Sequence, residues 1–114
     1  VPAVVTKYRN HAMEFDGKRF DSVAEAGRYR QLRLQEQRGE IFALCCQVPF
    51  VIAPGVKIEG AKRRSPAIRY FADFVYERRG ARVVEDVKGA LTDVYKLKRH
   101  LLALQGITIT EIRA

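Results

Sequence analysis

Cysteine is nearly absent from this 114-residue chain: Cys45 and Cys46 are the only two, and they are neighbours. Adjacent cysteines make poor disulfide partners and supply only half of a four-ligand zinc site, so neither a disulfide scaffold nor a structural zinc centre is expected. The pair reads as small core residues in a reducing cytoplasm. Histidine is as scarce, and His11 and His100 are too distant in sequence to argue for a metal site. Eight glycines and four prolines are too few for a collagen-like or low-complexity chain. No apolar run approaches the roughly 20 residues that span a bilayer, and no basic, apolar and small-residue series opens the chain, so a membrane is not an expected partner. The chain starts at Val1 rather than at a methionine, which leaves room for trimmed residues.

Negative charge is also short. Lys and Arg number 21 against 13 Asp and Glu, a net charge of +8, so the expected partner is anionic, with nucleic acid first. A hydrophobic content of 47% excludes a disordered chain, and the length suits one domain over 1–114, burying roughly two thirds of its unfolded surface. Residues 1–50 carry eight basic and six acidic side chains, and residues 51–114 carry 13 and seven, so the surplus splits as +2 and +6. It is densest at Lys57, Lys62, Arg63, Arg64 and Arg69, among Gly and Pro residues that read as an exposed loop. Such a loop is either simply solvated or placed to touch phosphates.

The hydrophobic pattern supplies the elements. Asp16-Gly17, between short stretches holding Met13, Phe15 and Phe20, predicts a hairpin feeding a helix. Ser22 or Asp21 caps that helix, which runs to about Arg38 and stops at Gly39. Glu25 shares a face with Tyr29 and Leu32, and as the third residue after Ser22 its plain role is to complete a capping box. "ALCCQVPFVI" reads as a strand that Pro49 marks as an edge or a bulge. "IRYFADFVYE" reads as a central strand, with Ile68, Tyr70, Ala72, Phe74 and Tyr76 on one face and Phe71, Asp73 and Val75 on the other. After a turn at Arg78, Arg79 and Gly80, "ARVVEDVKG" puts Val84, Asp86 and Lys88 on one face and Val83, Glu85 and Val87 on the other. Thr92 or Asp93 caps a second helix reaching about Gln105, with an apolar arc into which Lys98 points, and with Tyr95 read as core. "ITITEI" returns as a strand. The fold class is therefore α/β or α+β, with one main sheet and helices against it.

An aspartate in the middle of a covered strand is costly unless something satisfies it. Asp73 and Asp86 on adjacent strands offer hard oxygen ligands for Mg2+, the Val87 carbonyl offers another, and Lys88 projects from the same strand face as Asp86. A divalent ion would offset the repulsion between such carboxylates and polarise a phosphate, while a neighbouring basic group positions or deprotonates water. The competing account is an ordinary ion pair between Lys88 and one aspartate. "DVK" alone is a weak pattern; the buried Asp73 one strand earlier strengthens it. Glu85 also lies beside the lysine, but strand alternation favours Asp86, unless a bulge reverses the phase.

Taken together, "F-D-S-x-x-E-A-x-x-Y", "C-Q-V-P-F", "Y-F-A-D-F-x-Y" and "V-x-E-D-V-K-G" before a basic helix resemble, across nearly the whole chain, a family of small phage and prophage proteins. That family, known as domain of unknown function 1064, belongs to the PD-(D/E)xK restriction-endonuclease-like superfamily. The resemblance implies a central mixed four-stranded sheet flanked by helices, with an N-terminal hairpin before it. It matches Asp73 to the Asp of the PD motif, with Ala72 in place of the proline, Asp86 to the acidic position, Lys88 to the lysine, and Glu25 to a first-helix glutamate that completes the metal shell. Gln47 matches a glutamine beside the site.

The expected activity is a metal-dependent endodeoxyribonuclease. Glu25, Asp73, Asp86 and the Val87 carbonyl hold Mg2+, with Mn2+ substituting, while Lys88 and Gln47 act on water or phosphate. Lys57, Lys62, Arg63, Arg64, Arg69, Lys96, Lys98 and Arg99 are the candidate DNA contacts, holding the backbone with little sequence preference. The resemblance also brings branched or Holliday-junction DNA as a substrate subtype, a homodimer, phage recombination or replication proteins as partners, and the bacterial host cytoplasm as location. The alternatives are a non-catalytic DNA-binding or partner-recruiting module that kept the fold, and, behind it, an RNA-binding component.

Overall fold

A computed structural model describes residues 13–113; His11 lies outside the described residues. The strands β1 (Met13–Phe15) and β2 (Lys18–Phe20) form the expected hairpin. Asp16 and Gly17, at φ 53° and 72°, take the left-handed pair of conformations that a tight two-residue turn demands. Helix α1 (Val23–Gln37) starts at Ser22, whose Oγ accepts the Glu25 N–H at 3.1 Å, and ends before Gly39. Its buried stripe is Glu25, Ala26, Tyr29 and Leu32, whereas Val23 and Leu34 face solvent.

The main sheet comprises β3 (Phe42–Ala53), β4 (Ile68–Arg78), β5 (Ala81–Lys88) and β6 (Ile109–Arg113), in that spatial order. The first three pair antiparallel, and β6 pairs parallel to β5 after a crossover through α2 (Asp93–Leu104), capped by Thr92. Pro49 sits in the edge strand β3, where its missing N–H costs no ladder bond to a further strand. This mixed four-stranded sheet with a helix against each of two core clusters, preceded by a hairpin, is a restriction-endonuclease-like core.

Strand β4 is not covered on both faces as the sequence predicts, since Phe71 is exposed; burial alternates, with Tyr70, Ala72, Phe74 and Tyr76 all buried. They do not share one face. Phe74 and Tyr76 belong to the cluster beneath α1, with Tyr29 and Leu32, while Tyr70 and Ala72 join Tyr95 and Leu102 beneath α2. The phase slips between Ala72 and Phe74, at Asp73. Strand β3 slips in step: Leu44 and Cys46 pack toward α1, and Phe50 and Ile52 toward α2. Between the Cys46–Phe74 and Val48–Ala72 rungs stands Gln47, at a left-handed φ of 52°. That conformation costs a non-glycine residue about 1–2 kcal/mol and turns the strand over.

Three further expectations need correction. Cys45 is exposed and Cys46 only half-buried, because the edge strand is covered on one face and Cys45 lies on the other. The apolar arc of α2 is used only in part: Tyr95 and Leu102 are buried, while Val94, Leu97 and Leu104 are exposed. Ile68, grouped with Tyr70 on one face of a strand expected to be covered, is also exposed, since it lies at the strand's outer end.

Glu85, 1% exposed, points toward α1. Arg28 grips it with two parallel bonds, Nε to Oε1 at 2.8 Å and Nη2 to Oε2 at 2.7 Å, and Tyr76 Oη donates to the same carboxylate. This forked contact fixes α1 against β5. Replacing Arg28 by Met strands the Glu85 charge in the core, and urea unfolding is expected to show a loss of about 3 kcal/mol. A loss below about 1 kcal/mol would mean that the pair is no clamp, because that is the range of exposed ion pairs.

Candidate active site

The β4–β5 ladder runs from Arg78–Ala81 up to Phe74–Glu85 and stops there. Beyond that rung, side chains bridge the two strands in place of backbone pairing. Asp73 Oδ2 accepts the Val87 N–H at 2.8 Å, and Asp86 Oδ1 accepts the Asp73 N–H at 3.3 Å. The aspartate that looked expensive in the sequence thus satisfies a backbone donor where the strands part. The remaining Asp86 oxygen, Oδ2, lies 2.6 Å from Lys88 Nζ.

Glu25 reaches the same place from the first turn of α1. Only half of the expected capping box forms: Ser22 takes the Glu25 N–H, while the Glu25 carboxylate turns to Gln47, whose Nε2 donates to Oε2 at 3.4 Å. The same amide nitrogen donates to Asp73 Oδ1 at 3.1 Å. The left-handed backbone of Gln47 accompanies its placement between the two acids. Glu25, Gln47, Asp73, Asp86 and Lys88, separated by up to 63 positions in the chain, therefore form one continuous polar chain. Val87 contributes its N–H to Asp73.

The acids repel one another in a partly dry setting. Burial, then the charges of Asp73, Asp21 and Asp86, push Glu25 up to about 7, against the pull of the Gln47 amide. Burial likewise pushes Asp73 up to about 6, with the Val87 N–H opposing it and the Asp86 charge adding to it. Among the described residues the hydroxyl of Tyr70, on β4, has no hydrogen-bond partner although the residue is only 6% exposed. Burial and the adjacent Asp86 carboxylate raise its pKa strongly. A buried hydroxyl beside two candidate ligands is suited to an oxygen of a bound species.

Among the described residues, no three His, Cys, Asp or Glu side chains are gathered at ligating distance of a common point. Gln47, Val87 and Lys88 now engage the carboxylate oxygens. The donor types nevertheless suit a hard divalent cation: carboxylate oxygens whose affinity for protons is raised first by burial and then by their mutual charge, with the Tyr70 hydroxyl alongside. Glu25, Asp73 and Asp86 would hold it.

The basic residues divide into two groups. Lys57, Lys62, Arg63, Arg64, Arg69 and Lys96 are exposed. The loop carrying most of them is braced by the Val56–Ser65 bridge and by Arg64 Nη2 donating to the Gly55 carbonyl at 2.8 Å. Gly55 is needed there, since a Cβ would come within 2.9 Å of the Ser65 carbonyl oxygen. Lys98 and Arg99 are tied internally, Lys98 Nζ to the Arg69 carbonyl at 2.9 Å and Arg99 to Glu111 at 2.6 Å. A cavity of about 450 Å³ between the hairpin, α1 and β3 is lined by Asp16, Lys18, Tyr29, Arg33 and Cys46 among others, and by none of the five candidate site residues.

A carboxyl whose pKa is raised on folding binds its proton more tightly in the folded state. Its stabilising contribution is full below the unfolded value of 4.5 and disappears as pH rises through about 7 for Glu25. Thermal unfolding in EDTA is therefore expected to show stability falling between these pH values, less steeply in Glu25→Gln, and partly restored by millimolar Mg2+. Parallel profiles for the two proteins would contradict the assigned crowding.

The comparisons with known proteins bear on this geometry at the level of family. No curated protein and no solved structure matches the chain. A family model does, over residues 5–113, a span that includes the hairpin, both helices, the whole sheet and every residue of the carboxylate cluster. The chain is accordingly a member of the family described as "Protein of unknown function (DUF1064)".

Proposed function

We propose that this protein is a Mg2+-dependent endodeoxyribonuclease, with Mn2+ able to substitute. The observation that carries the reading is the convergence of Asp73, Asp86 and Lys88, with Glu25 and Gln47, at the point where β4 and β5 separate. Fold and family membership support nuclease-type chemistry at the level of the superfamily.

The division of labour follows from side-chain chemistry. Glu25, Asp73 and Asp86 hold the cation, which when bound polarises the phosphate and lowers the pKa of water. Lys88 keeps one N–H on Asp86 and has others to offer to water or to a non-bridging phosphate oxygen. Gln47 donates to two acids through one nitrogen, which leaves its carbonyl oxygen available to orient water. The exposed basic loop and Lys96 attract the DNA backbone through charge, so binding is salt-sensitive and largely blind to sequence. Branched DNA, including the four-way junction, is the substrate subtype that the family resemblance suggests.

The test is incubation with linear, single-stranded, flapped and four-way-junction DNA in Mg2+, Mn2+ or EDTA. Cleavage should require the cation, vanish in Asp73→Asn, and fall at least about 100-fold in Lys88→Met, with DNA affinity in Ca2+ nearly unchanged. Equal cutting by Asp73→Asn would overturn the assignment. Binding without cleavage by the wild type would favour the non-catalytic DNA-binding module instead.

A further inference from the structure

Lys88 closes β5, and its flexible four-carbon stem has no intrinsic reason to hold the ammonium at one point. Two contacts hold it. One is Asp86 Oδ2 at 2.6 Å, and the other is the ring of Tyr95, whose centroid lies 3.8 Å from Nζ. That distance is well inside the range in which a ring face attracts a cation. Because the ring cannot accept a strong directional bond, it restrains the ammonium without consuming its remaining donors.

The ring is itself anchored. Tyr95, 5% exposed in the first turn of α2, gives its backbone N–H to Thr92 Oγ1 at 3.1 Å. Its hydroxyl donates to Glu111 Oε2 at 2.8 Å. Glu111 stands on β6 directly beside Asp86 on β5, and is held by Arg99 at 2.6 Å and Arg113 at 3.2 Å. From Glu111 through Tyr95 and Lys88 to Asp86, side chains of β6, α2 and β5 form an unbroken path.

We infer that Tyr95 is a positioning residue for Lys88, its ring setting the ammonium against Asp86 and its hydroxyl, clamped by Glu111, setting the ring. A tyrosine that merely filled the core would be replaced by leucine without consequence for Lys88. For the role of Lys88 in cleavage the inference rests on the function proposed above; the contact itself does not.

The test follows the ε-methylene protons of Lys88 in lysine-labelled protein, identified by Lys88→Arg. In the wild type, ring current shifts them upfield of the other lysines. Tyr95→Leu should return them to the ordinary position and cut kcat about tenfold while DNA affinity in Ca2+ stays within about twofold. Tyr95→Phe keeps the ring and loses its tie to Glu111, so the shift persists in reduced form and the rate loss is smaller. Glu111→Ala, which removes the acceptor of the Tyr95 hydroxyl and leaves the ring in place, is expected to behave like Tyr95→Phe and serves if Tyr95→Leu does not fold. An unshifted Lys88 in the wild type, or a fully active Tyr95→Leu, would overturn the inference. If the wild type cuts none of the DNAs, the proposed activity falls, and the Lys88 shifts alone decide the contact.

Discussion

Everything in the candidate site depends on β4 and β5 ceasing to pair after Phe74–Glu85. A continued ladder would have satisfied the backbone groups of Asp73 and Val87 with each other's strand and left no room between them. Instead the Asp73 carboxylate takes the Val87 N–H and the Asp86 carboxylate takes the Asp73 N–H, so each acid is fixed by the strand opposite. Gaps in a sheet normally expose unpaired backbone groups to water. Here the backbone donors that the gap releases are what hold the acids in place.

The gap would be of little use without a fixed third wall. Glu25 can reach it because α1 is docked three residues later, through Arg28, onto Glu85. Glu85 and Asp86 are consecutive and point to opposite faces of β5, so one anchors the helix and the other faces the site. The clamp and the candidate ligand are consequently rigid with respect to one another. Buried ion pairs often add little net stability compared with apolar packing, and their value lies in setting a geometry.

Charge is distributed in the same sense. A chain of net charge +8 lines one gap with acids linked through Gln47 and backbone N–H groups, two of them with raised proton affinity, and leaves Lys57, Lys62, Arg63, Arg64 and Arg69 outside on a braced loop. Lys98 and Arg99, which sequence alone grouped with these contacts, are engaged with a backbone carbonyl and with Glu111. The Arg99 guanidinium therefore supports the anchor of Tyr95. A count of basic residues cannot distinguish a side chain that meets solvent from one that neutralises a neighbour.

What the sequence determined by itself was local. Asp16-Gly17, Ser22, Gly39 and Thr92 set the hairpin and the helix ends, because turns and caps are decided by residues within a few positions of one another. Alternation in "VVEDVK" likewise separated Asp86 from Glu85, since side-chain direction in an unbroken strand needs no knowledge of the partner. The same rule failed in β4, where the phase slips at Asp73, opposite a left-handed Gln47; Pro49 marks β3 as an edge or a bulge without saying which residue turns. Tertiary structure alone decided that the Glu25 carboxylate turns to Gln47 while its N–H stays on the cap, that the buried Tyr70 hydroxyl comes to lie beside Asp86, and that Tyr95 lies under Lys88. Those contacts join residues up to 22 positions apart, and their directions are set by helix docking and strand divergence rather than by any local preference of the chain.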